Sequence, residues 1–380
     1  MAGLRGELNT VKKILFVTGT RADFGKLQPL IQASIDAKYE VNIFVTGMHM
    51  LQEYGLTKKE VSRMINVEVC EFVNHRRGDP QDFILAKTIT GLSDYVYELA
   101  PDLIISHGDR IEALAASIVA ATNYILSAHV EGGEVSGTID EIFRHCNSKL
   151  NTYHFVSSEA AKRRLLKMGE NADSIYLIGS PELDIHGSES GVSLEVVKER
   201  YDIDFSDYGI VIFHPVTTEI SEIGKQAQAL FKALVDSQKN FVLIKPNNDP
   251  GCEQILAEIV KLPKSRFRIL PSMRFNYFSE LMKNCSLFIG NSSAGVREAP
   301  FLGIPSIDIG SRQHGRSTGQ SIHHCSAYDE DLITEFLFDQ WGNKYVSQIS
   351  FGQGSASSTF IKVLQKESFW RINLQKTFIE

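Results

Sequence analysis

Short apolar runs, each ending in a small or polar residue, recur along the chain and predict buried parallel strands. Lys13-Ile-Leu-Phe-Val-Thr18 is the first, followed by Gly19 and a helix expected from about Phe24 to Ala37. Val41–Thr46 is the next strand, then come a helical stretch Asp82–Leu99, a strand Asp102–Ser106 and the alanine-rich helix Ile111–Ala121. Strands at Ile125–Val130, Tyr153–Val156 and Ile175–Ile178 flank a helix near Asp140–Lys149. The pattern pauses at Gly179–Glu182, and Gly187–Ser193 is rich in Gly and Ser. The cycle restarts with strands at Tyr208–Phe213, Asn240–Ile244, Phe267–Leu270, Leu287–Ile289 and Ser306–Ile309, with a helix at Glu222–Ser237. Strands alternating with helices predict parallel sheets covered on both faces. Two successive α/β units are expected, residues 1–185 and 186–359, with a closing helix over about 360–380 packed back on the first.

Bulk composition narrows the class. The chain has 380 residues, 43% hydrophobic and 22% charged, ordinary for a globular protein with two cores. A net charge of -7 argues against a general nucleic-acid binder. Cysteines 70, 146, 252, 285 and 325 form no C-x-x-C pair, which fits reduced thiols and a cytoplasmic setting better than disulfides or zinc. Met1–Thr10 has no apolar signal core. Ile111–Val130 is the most apolar long segment, yet it contains Glu112, Asn123 and Tyr124, so it reads as a buried helix feeding a strand, not a membrane span.

Ligands of open parallel sheets bind beyond the carboxyl ends of the strands, and the polar residues here concentrate there. Thr18–Gly25 carries Arg21 and Asp23, where a cation can meet a diphosphate; a surface ion pair is the plainer alternative. His107-Gly-Asp-Arg110 follows one strand, and His129-Val-Glu-Gly-Gly-Glu134 follows another, with Asp140, Arg144 and His145 behind it. Each of these has a structural alternative, but so many charged groups at one rim would be costly if partly buried, and crowding shifts pKa values as acid–base chemistry requires. No H-x-x-x-H or H-E-x-x-H spacing is present, so metal binding ranks lower. The G-x-G-x-x-G and P-loop patterns are also missing, and there is no G-x-S-x-G elbow turning directly from a strand into a helix.

In the second half, His214-Pro-Val-Thr-Thr218 and Lys245-Pro-Asn-Asn-Asp249 follow strands. His214 is a phosphate donor or a turn residue, and Asn247 a sugar or phosphate contact or an Asx turn. Ser286–Pro300 reads as a strand, a turn at Gly290 and Gly295, and a helix start at Asn291, Ser292 and Ser293, a setting that suits a phosphate. Glu298 lies about one turn further on, where a carboxylate takes ribose hydroxyls. An ordinary Ser N-cap is the plainer reading. Both halves are expected to turn their polar strand ends toward one cleft.

These strings resemble the hydrolysing UDP-N-acetylglucosamine 2-epimerases, in particular bacterial NeuC-type enzymes of sialic acid synthesis. The likeness rests on Thr18–Lys26, Val45-Thr-Gly-Met-His49, His107–Arg110, Glu131–Thr138, Ile142-Phe-Arg-His145, His214–Thr218 and Gly290–Glu298, in order from about Lys12 to Ser321. Non-hydrolysing relatives carry G-T-R-P-E where this chain has Gly19-Thr-Arg-Ala-Asp23, and H-R-R-E-N where it has His214–Thr218. The resemblance implies a GT-B fold, two Rossmann-like doubly wound domains with the active site between them. It implies a homodimer or homotetramer that needs no metal or other cofactor. It assigns Arg21, Arg110, His214, Ser292 and Ser293 to the diphosphate and Glu298 to the ribose. Asn247 and the Pro271-Ser272-Met273 turn would lie near the nucleotide, and Asp23, Asp109, Glu131, Asp140 and His145 around the hexose. His49 and His129 match family histidines without an assigned role.

The implied reaction removes H2 as UDP leaves C1, giving 2-acetamidoglucal. Water then adds at C1 and a proton returns to the other face of C2, yielding N-acetylmannosamine and UDP. Asp109 and Glu131 are the expected acid–base pair, with Asp23 or His145 assisting. Rival readings are the same chemistry on UDP-2,4-diacetamido-2,4,6-trideoxyglucose, a glycosyltransferase of this fold, and a non-catalytic nucleotide-sugar sensor.

Overall fold

The alternation read from the sequence folds into two all-parallel sheets. The structure is a computed structural model that describes residues 11–52, 55–76, 78–135, 140–189, 191–247, 249–377 and 379. The side chain of Asp140, the leader reading of residues 1–10 and the motif positions 136–138 lie outside the described residues.

The first sheet holds β1 (Lys13–Thr18), β2 (Glu40–Val45), β3 (Glu68–Glu71), β4 (Leu103–His107), β5 (Leu126–Val130), β6 (Tyr153–Val156) and β7 (Ile175–Leu177), in the order 3-2-1-4-5-6-7. The second holds β8 (Gly209–Ile212), β9 (Phe241–Ile244), β10 (Phe267–Leu270), β11 (Phe288–Gly290), β12 (Ser306–Ile309) and β13 (Ile322–Cys325), in the order 10-9-8-11-12-13. Each order reverses beside its first strand, between β1 and β4 and between β8 and β11. Loops diverge there and leave room for a ligand.

Strand alternation explains why both faces are covered. Ile14, Phe16, Ile43 and Ile105 pack on one side with Phe360 and Phe369 from the end of the chain. Leu15, Val17, Phe44 and Ile104 pack on the other with Leu92 and Val96 of helix Gln81–Leu99 and Val119 of helix Ile111–Thr122. In the second sheet Val211, Leu243 and Ile289 meet Leu230 and Leu234 of helix Ile223–Asp236, while Ile210, Val242 and Phe288 meet Leu281 and Met282.

The two strands that sequence reading missed are both at sheet edges. Glu-Val-Cys-Glu in β3 and Ile-His-His-Cys in β13 are half exposed, so neither shows an apolar run. The first helix starts at Arg21 rather than Phe24, because Thr20 and Asp23 form a capping box. The closing helix is also shorter than expected, Ala356–Leu364, followed by a turn at Glu367–Arg371.

Two compact units emerge. One comprises residues 1–134, 142–181 and 355–380, and the other 135–141 and 182–354. The chain's last segment is fastened to the first unit. Phe369 stacks on Tyr153 with ring centroids 4.2 Å apart, and the Tyr153 hydroxyl donates to the Phe369 carbonyl at 2.9 Å. Buried Glu170 collects His154 Nε2 at 3.0 Å, Lys149 Nζ at 2.8 Å and Lys376 Nζ at 2.5 Å. Burial alone would raise the Glu170 pKa, but these three partners outweigh it and hold it down to about 2.

Removing one partner of a buried charge cluster is expensive, so Glu170→Gln should cost about 3 kcal/mol in urea unfolding. The Glu170 contribution is full above its ordinary value of 4.5 and should fade as pH drops from there toward about 2. The wild-type minus Glu170→Gln stability difference should therefore shrink across that window in acid titration.

Candidate active site

The loop after β1 is fixed from inside by Asp23. Its carboxylate accepts the Gly19 N–H at 3.0 Å and the Thr20 N–H at 3.1 Å, and it also receives the Thr18 hydroxyl. This is the N3 half of a capping box, so the side chain expected beside the hexose is committed to shaping the loop. His49 lies against the same loop. It is 0% exposed, with Nε2 at 3.0 Å from the Thr18 hydroxyl and Nδ1 at 2.8 Å from that of Thr57. Burial lowers its pKa, and both ring nitrogens are engaged by hydroxyls beneath the loop. Arg21 is ion-paired with Glu60 at 2.6 Å.

Beneath the same loop lies Glu112, 3% exposed, with Oε1 at 3.5 Å from Asn74 Nδ2. Gly47 has φ +63, and a Cβ there would fall 2.5 Å from the Gly19 carbonyl and 2.6 Å from Glu112 Oε1. Only glycine fits.

β4 and β5 deliver the acid–base candidates. β4 ends at His107 and β5 at Val130, paired residues of adjacent strands, so the next residues of each share one rim. His129 is fully buried and its pKa falls to about 3 through burial, so it is neutral. Its Nε2–H donates to the Gly108 carbonyl at 2.7 Å, and Asn147 Nδ2 donates to the same oxygen at 3.2 Å. These bonds hold the turn that presents Asp109 and Arg110. Asp109 itself is bound by Arg144, whose side chain is 2% exposed. Glu131 pairs with Lys26 at 2.9 Å and with His107 at 3.3 Å. It also adopts φ +68, a left-handed conformation uncommon outside glycine and enriched at functional sites. Glu134 is buried and accepts the Ser157 hydroxyl at 2.6 Å. Asp140 opens the helix Asp140–Leu150, on which His145 is half-buried.

In the second unit one side chain ties the switch point together. Asn291 follows β11; its Oδ1 accepts the His214 N–H at 2.7 Å and its Nδ2 donates to the His214 carbonyl at 2.8 Å. The Asn291 carbonyl receives Arg312 Nη1 at 3.1 Å and Gln313 Nε2 at 2.8 Å. The Asn247 N–H donates to His214 Nδ1 at 3.2 Å, which places the neutral ring's proton on Nε2. Burial, then the Arg312 charge, push the His214 pKa well below its ordinary value. His214 is thus a neutral N–H donor, suited to an anionic oxygen.

Ser292 and Ser293 are half-buried at the turn, and Ser272 is half-buried beyond the edge strand β10. The helix expected to start at Asn291–Ser293 is a single turn, Ser293–Gly295, followed by a four-residue helix, Glu298–Phe301. Gly303 at φ +67 ends it and returns the chain to β12. Gly290, at φ +132, would place a Cβ 1.9 Å from the Ile212 carbonyl. Glu298 is buried, with Oε1 at 3.1 Å from His186 Nε2.

Sequence reasoning passed over Lys26, Glu112, His186, Arg312 and Arg316. Arg312 and Arg316 follow the end of β12, so the strand-end rule would have found them. Glu112 was visible as an acid in an alanine-rich helix. Among the described residues no group of three or more His, Cys, Asp or Glu is placed to hold a metal ion, and no helix is long and apolar enough to cross a membrane.

Two doubly wound parallel sheets, each with its polar residues gathered at the switch point, define an α/β enzyme built from Rossmann-like units. The model of the UDP-N-acetylglucosamine 2-epimerase family matches residues 33–365. A UDP-N-acetylglucosamine 2-epimerase of Neisseria meningitidis serogroup B is 44% identical, over 97% of this chain and 99% of that protein. A UDP-N,N'-diacetylbacillosamine 2-epimerase (hydrolyzing) of Legionella pneumophila is 32% identical, over 85% of this chain and 88% of that protein. The chain belongs to the UDP-N-acetylglucosamine 2-epimerase family. Among solved structures, a UDP-GlcNAc 2-epimerase from Neisseria meningitidis bound to UDP-GlcNAc superposes with a TM-score of 0.76 at 17% identity, covering 93% of this chain and 99% of that one. An enzyme from Methanocaldococcus jannaschii gives the same TM-score at 18% identity, covering 93% and 99%. That likeness is one of fold.

Asn291→Ala should lower the stability of the second unit by about 2 kcal/mol, since it leaves the half-buried His214 N–H and carbonyl without these partners. Guanidinium unfolding followed by the fluorescence of Trp341 would measure it.

Proposed function

We propose that this chain is a hydrolysing 2-epimerase that converts UDP-N-acetylglucosamine and water to N-acetylmannosamine and UDP, supplying sialic acid synthesis. The observation that carries the reading is the pair of carboxylates after adjacent strands β4 and β5, Asp109 and Glu131, each set against its own cation. Two acid–base groups are what inversion at C2 requires: one takes H2, the other returns a proton to the opposite face. Direct deprotonation of C2 is difficult, so elimination carries the step. Electrons from the C2–H bond form the C1–C2 double bond, the C1–O bond breaks and UDP leaves with the pair. Hydration of the 2-acetamidoglucal then gives the free sugar.

In this reading His214 Nε2–H, Arg110, Arg312, Ser292 and Ser293 stabilise the departing diphosphate. Arg21 assists them, Glu298 takes the ribose, and Asn247 and Ser272 border the nucleotide. Asp140 and His145 complete the sugar side. The chemistry uses protein groups alone, with no metal or nicotinamide, in a cytoplasmic homodimer or homotetramer of chains divided near residue 185. The relatives whose printed names include hydrolysis support the release of free sugar.

The name of the Legionella relative favours a second reading, the same reaction on UDP-2,4-diacetamido-2,4,6-trideoxyglucose. Incubating pure protein with each UDP-sugar and no acceptor, then identifying the released sugar by NMR, decides between them. Free N-acetylmannosamine with equimolar UDP supports the first. Turnover of the diacetamido sugar alone establishes the second, and UDP-N-acetylmannosamine as product would overturn hydrolysis.

Asp109→Asn and Glu131→Gln should each lower kcat at least about a hundredfold. UDP affinity by calorimetry should stay within about threefold of wild type, because uniform binding is retained. A near-normal rate in either variant removes that residue from the chemistry.

A further inference from the structure

Glu298 is gripped from behind by a helix that the reaction itself does not use. Helix Glu182–Gly187 places Glu182 and His186 four residues apart, on one face. Glu182 Oε1 lies 3.5 Å from Arg297 Nη1, and His186 Nε2 lies 3.1 Å from Glu298 Oε1. Two consecutive residues of the nucleotide turn are therefore held by two side chains of one helical face. The His186 ring is set in turn by Ser279, whose hydroxyl lies 2.9 Å from Nδ1, and by the edges of Phe275 and Phe278 at 5.3 and 6.4 Å. Ser279, His186 and Glu298 are 0%, 3% and 4% exposed.

The chemistry of the chain fixes its direction. A carboxylate only accepts, so the proton between His186 and Glu298 sits on Nε2. On the other side of the ring the Ser279 hydroxyl engages Nδ1 at 2.9 Å. The ring is thus held at both nitrogens, with Nε2 on one oxygen of Glu298.

We propose that His186 is a positioning residue for ribose recognition: through Nε2–H it fixes one oxygen of Glu298, so that the carboxylate is presented in a single orientation to the ribose hydroxyls of a uridine nucleotide. This rests on the reading of Glu298 as the ribose contact. Hydrogen bonds to a charged group are worth enough for wild type to prefer UDP over 2'-deoxy-UDP by about tenfold or more. A carboxylate free to rotate loses that preference while phosphate binding is untouched.

The test is the ratio of UDP to 2'-deoxy-UDP affinity, measured by calorimetry on the full chain, with inorganic pyrophosphate as the phosphate control. His186→Leu should bring the ratio to within about twofold of unity with pyrophosphate affinity unchanged, and His186→Gln, which keeps an N–H donor, should restore part of it. Ser279→Ala, a milder change, should cut the ratio about threefold, and it decides the matter if His186→Leu does not fold. A folded His186→Leu, or failing that Ser279→Ala, with the wild-type ratio overturns the positioning role. If Glu298→Gln lowers the ratio while the His186 and Ser279 variants do not, the ribose reading stands and this proposal alone fails. If wild type itself binds both nucleotides equally, the ribose reading falls and takes the proposal with it.

Discussion

Every strand pair in both sheets is parallel, and that direction governs the chemistry. Parallel strands bring all their carboxyl ends to one edge of the sheet. Helices cover both faces, so the polar side chains that could meet a ligand gather at the strand ends. Thr18 and His107 close β1 and β4, and Glu131, His214 and Asn291 follow β5, β8 and β11. At each reversal of strand order the connections diverge.

A crowd of charged groups at such an edge must be satisfied before it can be useful. Arg144 answers Asp109, Lys26 and His107 answer Glu131, and Arg312 reaches the Asn291 carbonyl. The histidines divide by burial. His129 and His49 are kept neutral by desolvation and spend their ring nitrogens on loop geometry. His214 is also held neutral, but an Asn247 N–H fixes its tautomer and leaves Nε2–H as a donor. Glu131 adds backbone strain, a left-handed residue kept by the ion pairs around it.

The sequence made the strand positions and strand-end motifs legible because both are local. A buried parallel strand is a short apolar run, and the polar string after it marks the edge. What was not legible is set by distance along the chain. The His49 ring meets Thr18, 31 residues away. The Asn291–His214 clamp joins residues 77 apart, and His186 meets Glu298 across 112. The capping-box bonds of Asp23 were not legible either, since the carboxylate of a capping box and a catalytic acid look alike in a string. The helix expected at Ser293 breaks after Gly295 and resumes only over Glu298–Phe301.

The central claim is that the strand-end carboxylates work on the sugar carbon while the diphosphate leaves intact, with the C1–O bond broken. Running the reaction in water enriched in oxygen-18 and observing the released UDP by phosphorus-31 NMR tests this most directly. Cleavage at carbon predicts UDP without label on its β-phosphorus. An isotope shift at that phosphorus would mean water attacked phosphorus, and would contradict the assignment of every group at the first sheet's edge.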